Sequence, residues 1–155
     1  MADQEPGRGL YRQDATLVVR KLIAATPERL FTAWTAPEHL KQWWGPPSVT
    51  CTDAEVDLRV GGGYRIANRF PDGTVVWIAG EFEAIDPPHK LVYTWRIEPQ
   101  SHTAELVTVL FEARPEGATE VIVIHERIPD KAARETHEQG WEGCLEGLAE
   151  YVSGE

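Results

Sequence analysis

Hydrophobic positions follow two different periods along this chain, and the switches between them cut it into elements. Residues 16–23 read as a strand. Thr26-Pro27-Glu28-Arg29 then supplies an N-cap, a proline at the first helical position and early acidic character. Leu30, Phe31 and Trp34 follow at helical spacing, which predicts a short helix to about Thr35. A second start signal, Thr35-Ala36-Pro37-Glu38, predicts another short helix through His39, Leu40 and Trp43, stopped by Gly45-Pro46-Pro47. From Val49 the period turns strand-like, with Gly61-Gly62-Gly63 and Pro71-Asp72-Gly73 as turns between antiparallel strands. Strands are expected over 49–58, 63–69, 74–85, 90–97, 103–113 and 119–128, the later ones divided by Asp86-Pro87-Pro88-His89 and by a loop at 114–118.

Ile128-Pro129-Asp130 opens the last helix, capped by Asp130 and predicted to run to about Val152, some 23 residues or roughly 35 Å. Trp141, Cys144, Leu145, Leu148 and Val152 fall on one side of it. Glu138, Glu142, Glu146 and Glu150 form a stripe on another side, the pattern of a solvated face. Strand, two short helices, a six-strand meander and a long helix make an α+β order. A sheet of that length curls under its own right-handed twist and its glycine breaks, and a helix on the concave face covers its apolar side. The expectation is a curved antiparallel sheet of about seven strands around a long C-terminal helix, with two short helices after the first strand. Residues 1–13, where Pro6, Gly7 and Gly9 sit among charges, read as a flexible tail, and residues 14–155 as one domain.

The bulk numbers narrow the function classes. A chain of 155 residues with 42% hydrophobic and 26% charged residues folds as a globular domain, large enough for a core and a pocket. Its formal net charge of -10 repels phosphate backbones and anionic lipid surfaces, so neither nucleic acid nor membrane is an expected partner. No apolar run approaches the roughly 20 residues that span a bilayer, and the first ten residues lack a secretory signal's apolar stretch. A cytoplasmic location follows as the expectation. In a reduced compartment Cys51 and Cys144 read as small buried hydrophobes.

Five segments, in order, resemble a known family. They are Ala25-Thr26-Pro27-Glu28-Arg29-Leu30-Phe31-Thr32-Ala33-Trp34-Thr35, Leu40-Lys41-Gln42-Trp43-Trp44-Gly45-Pro46, Asp57-Leu58-Arg59-Val60-Gly61-Gly62, Asp86-Pro87-Pro88-His89-Lys90-Leu91-Val92-Tyr93-Thr94-Trp95 and, on the last helix, Gly140-Trp141. Across about residues 16–152 the chain resembles the START-like helix-grip (SRPBCC) superfamily, in the branch named after the activator of the heat-shock protein 90 ATPase. The motifs are mostly architectural, prolines and glycines at turns and apolar residues for a core. The resemblance implies a helix-grip fold with a cavity for an apolar ligand.

The strand phase that buries most apolar surface turns Tyr64, Ile66, Ile78, Phe82, Leu91, Tyr93, Trp95, Val107, Val109, Phe111, Val121, Val123 and His125 toward the helix. Trp141, Cys144, Leu145 and Leu148 face them, with Trp43 and Trp44 near one end. From this set the expected ligand-binding residues are Trp43, Trp44, Tyr64, Ile78, Phe82, Tyr93, Trp95, Val109, Phe111, Val123, His125, Trp141, Cys144, Leu145 and Leu148, a lining suited to a planar or aliphatic molecule.

His125, at an inward strand position, is either a satisfied core histidine or a group that orients a ligand or moves a proton, paired with Tyr93 or Asn68. Cys144 reads as packing, and Glu81 and Glu83 as a solvated strand face. His39, His89, His102 and His137 are scattered over different elements without metal-ligand spacing, so no metal is predicted, nor any other cofactor. The glycine run at 61–63 lacks the Lys-Ser/Thr of a phosphate loop.

Three functions remain open. The leading one is binding of a small hydrophobic molecule for carriage, sequestration or sensing. A second is a cyclase- or hydrolase-like enzyme acting on a polyketide-like substrate, as in some helix-grip relatives. The third is a co-chaperone-like interaction domain with a chaperone partner, suggested by the family name. A monomer or a weak homodimer is expected.

Overall fold

The structure is a computed structural model that describes residues 15–45, 48–98 and 104–153. The first strand, β1 (Leu17–Ile23), is followed by helices α1 (Pro27–Thr35) and α2 (Pro37–Trp43). Six strands come next: β2 (Thr50–Val56), β3 (Gly63–Arg69), β4 (Val75–Asp86), β5 (Lys90–Glu98), β6 (Glu105–Arg114) and β7 (Ala118–Glu126). The last element is the long helix α3 (Lys131–Ser153). The seven strands form one antiparallel sheet in the order β1-β7-β6-β5-β4-β3-β2. Consecutive strands β1 and β2 therefore lie at opposite edges, and α1 with α2 carries the chain between them. This is the curled half-barrel around a helix that the element order predicted.

The local signals act as expected at two of the three helix starts. Thr26 Oγ1 accepts from the Arg29 amide at 3.2 Å, and Asp130 Oδ1 accepts from the Ala133 amide at 2.8 Å. At α2 the cap position belongs to Ala36, which offers no side-chain bond. Thr35 instead ends α1, its hydroxyl donating back to the Phe31 carbonyl at 2.8 Å, so α2 starts on Pro37 alone. Strand ends differ from expectation by at most two residues, as where β2 stops at Val56 and β7 at Glu126 although the pattern suggested residues 58 and 128. The expected tail and the start of the sixth strand at Thr103 lie outside the described residues.

Two register shifts, at Cys51/Asp53 and at Phe82/Ala84, help the sheet to curl. A third device is Gly80. A Cβ there would sit 1.9 Å from the Thr94 carbonyl oxygen, so β4 and β5 approach this closely only because position 80 has no side chain.

The strand phase is the expected one. Tyr64, Ile66, Ile78, Phe82, Leu91, Tyr93, Trp95, Val107, Val109, Phe111, Val121, Val123 and His125 are all buried, as are Trp141, Cys144, Leu145 and Leu148 of α3. Each fully buried aliphatic or phenyl side chain contributes roughly 1.5–3 kcal/mol. That packing, rather than intrinsic propensity, holds an α3 that carries Gly140, Gly143 and Gly147 in its interior. Trp34 ties the short helices to this core. Its ring lies 5.0 Å from Trp43, 5.9 Å from Phe111 and 6.1 Å from Trp141, and its Nε1–H donates to the Tyr93 hydroxyl at 3.3 Å. Glu142, Glu146 and Glu150 are exposed, and Glu138 pairs with Arg134 at 3.8 Å. Among the described residues no helix is long and apolar enough to cross a membrane.

Candidate functional site

Where α3 crosses the sheet it does not close against it fully. A cleft of about 370 Å³ lies between the helix residues Thr136, His137, Gln139, Gly140, Trp141 and Cys144 and the sheet residues Asn68, Ile78, Trp95 and Ile97. Trp44, Val49 and Phe70 complete its wall. Exposure of Phe70 and Gln139 marks its mouth.

Of the residues expected to touch a ligand, Trp44, Ile78, Trp95, Trp141 and Cys144 line this cleft. Tyr64, Phe82 and Tyr93 surround a separate apolar void of about 20 Å³, room for one water at most. Trp43 borders an open groove of about 560 Å³ on another face of α3, with Lys41, Cys51, Glu146 and Glu150. Val109, Phe111, Val123, Leu145 and Leu148 border none of these spaces and are fully packed core. Strand alternation finds the inward face, but a gap opens only where helix and sheet diverge, and no periodicity encodes that divergence.

Polar chemistry gathers at one wall of the cleft. The indole Nε1–H of Trp141 donates to His125 Nδ1 at 3.0 Å. An indole has no acceptor, so Nδ1 must be unprotonated and the hydrogen of neutral His125 sits on Nε2. That Nε2–H donates to Glu105 Oε1 at 2.6 Å, and His137 Nε2–H donates to the same oxygen at 3.0 Å. The two imidazoles stack with centroids 4.3 Å apart, and the Trp95 ring stands nearly edge-on to them. Burial pulls the His125 pKa down, against the raising effect of the Glu105 hydrogen bond. Burial alone would raise the Glu105 carboxyl, but the hydrogen bonds and charges of the two histidines outweigh it and hold it at about 2.

These contacts change the role of His125. Its partners are Glu105 and Trp141, not Tyr93 or Asn68, and both ring nitrogens are engaged. It is fully buried and does not border the cleft. The histidine that does border the cleft is His137. Sequence reasoning passed over His137 and Glu105 because they lie on different elements, although one signal was present: His137 stands one helical turn before Trp141, on the same side of α3.

The fold also brings together a donor set that spacing along one element could not show. One atom each of Glu105, His125 and His137 lies within 4.8 Å of the others, which is compact enough to consider a cation. The Trp141 bond argues against that use. A metal would need the lone pair of His125 Nε2, which would move the proton to Nδ1 and set it against the indole N–H. The arrangement instead satisfies a carboxylate that accepts from two imidazoles. Of the other histidines, His39 bonds the Tyr151 hydroxyl, His89 lies in the β4–β5 turn, and His102 is outside the described residues.

Two further polar atoms belong to residues in the cleft wall. Asn68 Oδ1 and Trp95 Nε1 are buried without a hydrogen-bond partner among the described residues. Both cysteines are buried and free, and burial pushes the Cys144 thiol up to about 12, so it is inert packing. Burial likewise pushes the Tyr93 hydroxyl up, which leaves it neutral.

Solved structures similar to this one span almost the whole chain. Protein CV1439 from Chromobacterium violaceum is 28% identical with a TM-score of 0.81, over 89% of this chain and 96% of that one. The AHSA1 protein from Silicibacter pomeroyi is 26% identical with a TM-score of 0.80, over 90% and 98% of the two chains. PFC0360w, an HSP90 activator from Plasmodium falciparum, is 26% identical with a TM-score of 0.72, over 90% and 96%. No curated protein matches the chain significantly. The sequence profile of the family described as activator of Hsp90 ATPase homolog 1-like protein matches residues 24–153, and the chain belongs to that family.

Proposed function

We propose that this protein binds a small, mainly apolar molecule in the cleft between the sheet and α3, as a carrier, a sequestering protein or a sensor. The observation that carries this reading is the cleft itself. Its volume of about 370 Å³ falls in the range of ligand pockets, roughly 300–1,000 Å³, and three indoles and two isoleucines stand in its wall. The unpartnered Asn68 oxygen and Trp95 N–H supply one acceptor and one donor beside that apolar surface. A ligand with a single hydroxyl-like group on an apolar body suits both, given a small side-chain adjustment.

The experiment is titration with the neutral probe N-phenyl-1-naphthylamine, read by energy transfer from the tryptophans, together with native mass spectrometry of protein from its own host. Saturable binding competed by an apolar metabolite supports the reading. Absence of both probe binding and any retained small molecule removes it.

A second reading, docking to a chaperone ATPase, is favoured by the likeness to the HSP90 activator from Plasmodium falciparum. It predicts stimulation of a purified chaperone's ATP hydrolysis by this chain. The enzyme reading no longer rests on His125, whose ring nitrogens are both occupied.

A further inference from the structure

We propose that His137, backed by Glu105, is an acid–base centre on the wall of the cleft, able to take a proton from an apolar substrate with an acidic O–H or C–H bond. This rests on the cleft as the ligand site and adds a chemical activity to it. His137 borders the cleft, and its Nε2 is committed to Glu105 Oε1 at 3.0 Å. Nδ1 has no partner among the described residues, so in the neutral ring it is the nitrogen with a free lone pair.

Behind it stands a carboxylate whose own position is fixed. Glu105 Oε1 also accepts from His125, and His125 is locked by Trp141. A carboxylate bonded to the far nitrogen of an imidazole sets the tautomer and stabilises the imidazolium that forms when the near nitrogen takes a proton. In the step proposed, the substrate's O–H or C–H bond breaks, its electron pair stays on the substrate, and the proton moves to Nδ1. The product pair is a substrate anion and an imidazolium held against Glu105. Charge around the ring is otherwise sparse. His125 from β7 is neutral by its bond to Trp141, Trp95 from β5 carries no charge, and Arg134 and Glu138 on α3 pair with each other.

The probe is 5-nitro-1,2-benzisoxazole, a flat apolar carbon acid. Loss of its C–H proton to a base breaks the ring N–O bond and releases a yellow cyanonitrophenolate. Wild-type protein is expected to open it faster than the same concentration of free imidazole, and His137→Gln to lower the rate by about 100-fold, the lower end of what a positioned general base supplies. Glu105→Gln tests the positioning role by a split readout: without the carboxylate the turnover rate should fall, while KM and tryptophan quenching by the probe stay as in wild type.

Tryptophan quenching by the same nitroaromatic reports binding separately. Quenching with a rate equal to free imidazole, or unchanged in His137→Gln, overturns the acid–base centre and leaves the binding site standing. No quenching overturns both.

Discussion

Gly140 offers the sharpest test that the cleft is retained for a ligand. It lies mid-way along α3 in the cleft wall, with a φ outside the left-handed region, and a Cβ built on it would meet nothing within 4 Å. A glycine in a helix interior costs about 0.8–1.0 kcal/mol relative to alanine, so the fold alone gives no reason for it. Gly140→Ala should therefore stabilise the protein by about 1 kcal/mol, which for a chain of this size raises Tm by roughly 2–4 °C. Gly140→Leu gains nearly the same propensity and projects an isobutyl group into space that is now open. Its Tm should be at least that of the alanine variant, whereas its affinity for N-phenyl-1-naphthylamine should fall by about tenfold or more, some 1.4 kcal/mol. Gly147 is the control. It shares the helix, but a Cβ there would lie 3.0 Å from the Trp43 carbonyl oxygen, so Gly147→Ala should bring no rise in Tm. A Gly140→Leu variant that is stable and binds the probe as wild type does refutes uptake through this cleft, because filling it would then be irrelevant to binding. A Gly140→Ala variant with a lowered Tm is equally fatal, because the space at position 140 would then not be open.

Two further outcomes follow from the polar wall. Trp141→Phe leaves His125 Nδ1 buried without a donor, which costs about 1–3 kcal/mol before any loss of ring packing, so the urea midpoint should fall with an unchanged slope. A midpoint within error of wild type would show that this bond contributes nothing. The pH dependence of stability should also carry the signature of the cluster. His125 is held neutral in the fold, so the unfolded chain binds more protons and stability falls as pH drops below the ordinary histidine value of 6.5. Glu105, held at about 2 against an ordinary 4.5, contributes stability present above about 4.5 and lost as pH falls toward 2. Tm measured from pH 7 to 3 should decline through both windows, and Glu105→Gln should flatten the lower one. A flat profile in wild type contradicts the assignment.

The contrast between His125 and His137 shows what a sequence can and cannot reveal about such a site. Binary pattern placed every strand, the phase of β3 to β7 and the buried side of α3, because alternation and helical spacing record which side chain meets water, one residue at a time. The same alternation singled out His125, correctly as a buried imidazole. What it could not convey is partnership. Glu105, His125 and His137 come from β6, β7 and α3, and they meet because β6 and β7 pair in a register that sets Val107 opposite His125, bringing Glu105 within reach. That register is fixed by the turn at Pro115–Gly117 and by the packed core, not by anything local to the histidine. Burial with two bonded nitrogens makes His125 a support for the carboxylate, and it is His137, one turn before Trp141 on the same side of α3 and bordering the gap, that keeps a nitrogen free. An imidazole intended for chemistry has to retain an unsatisfied lone pair beside accessible space, so the most buried candidate in a pattern of apolar positions is the one least able to act. Polar residues that continue or adjoin an apolar helical stripe, here His137 and Thr136 in the turn before Trp141 and Cys144, are where the sequence carries that information.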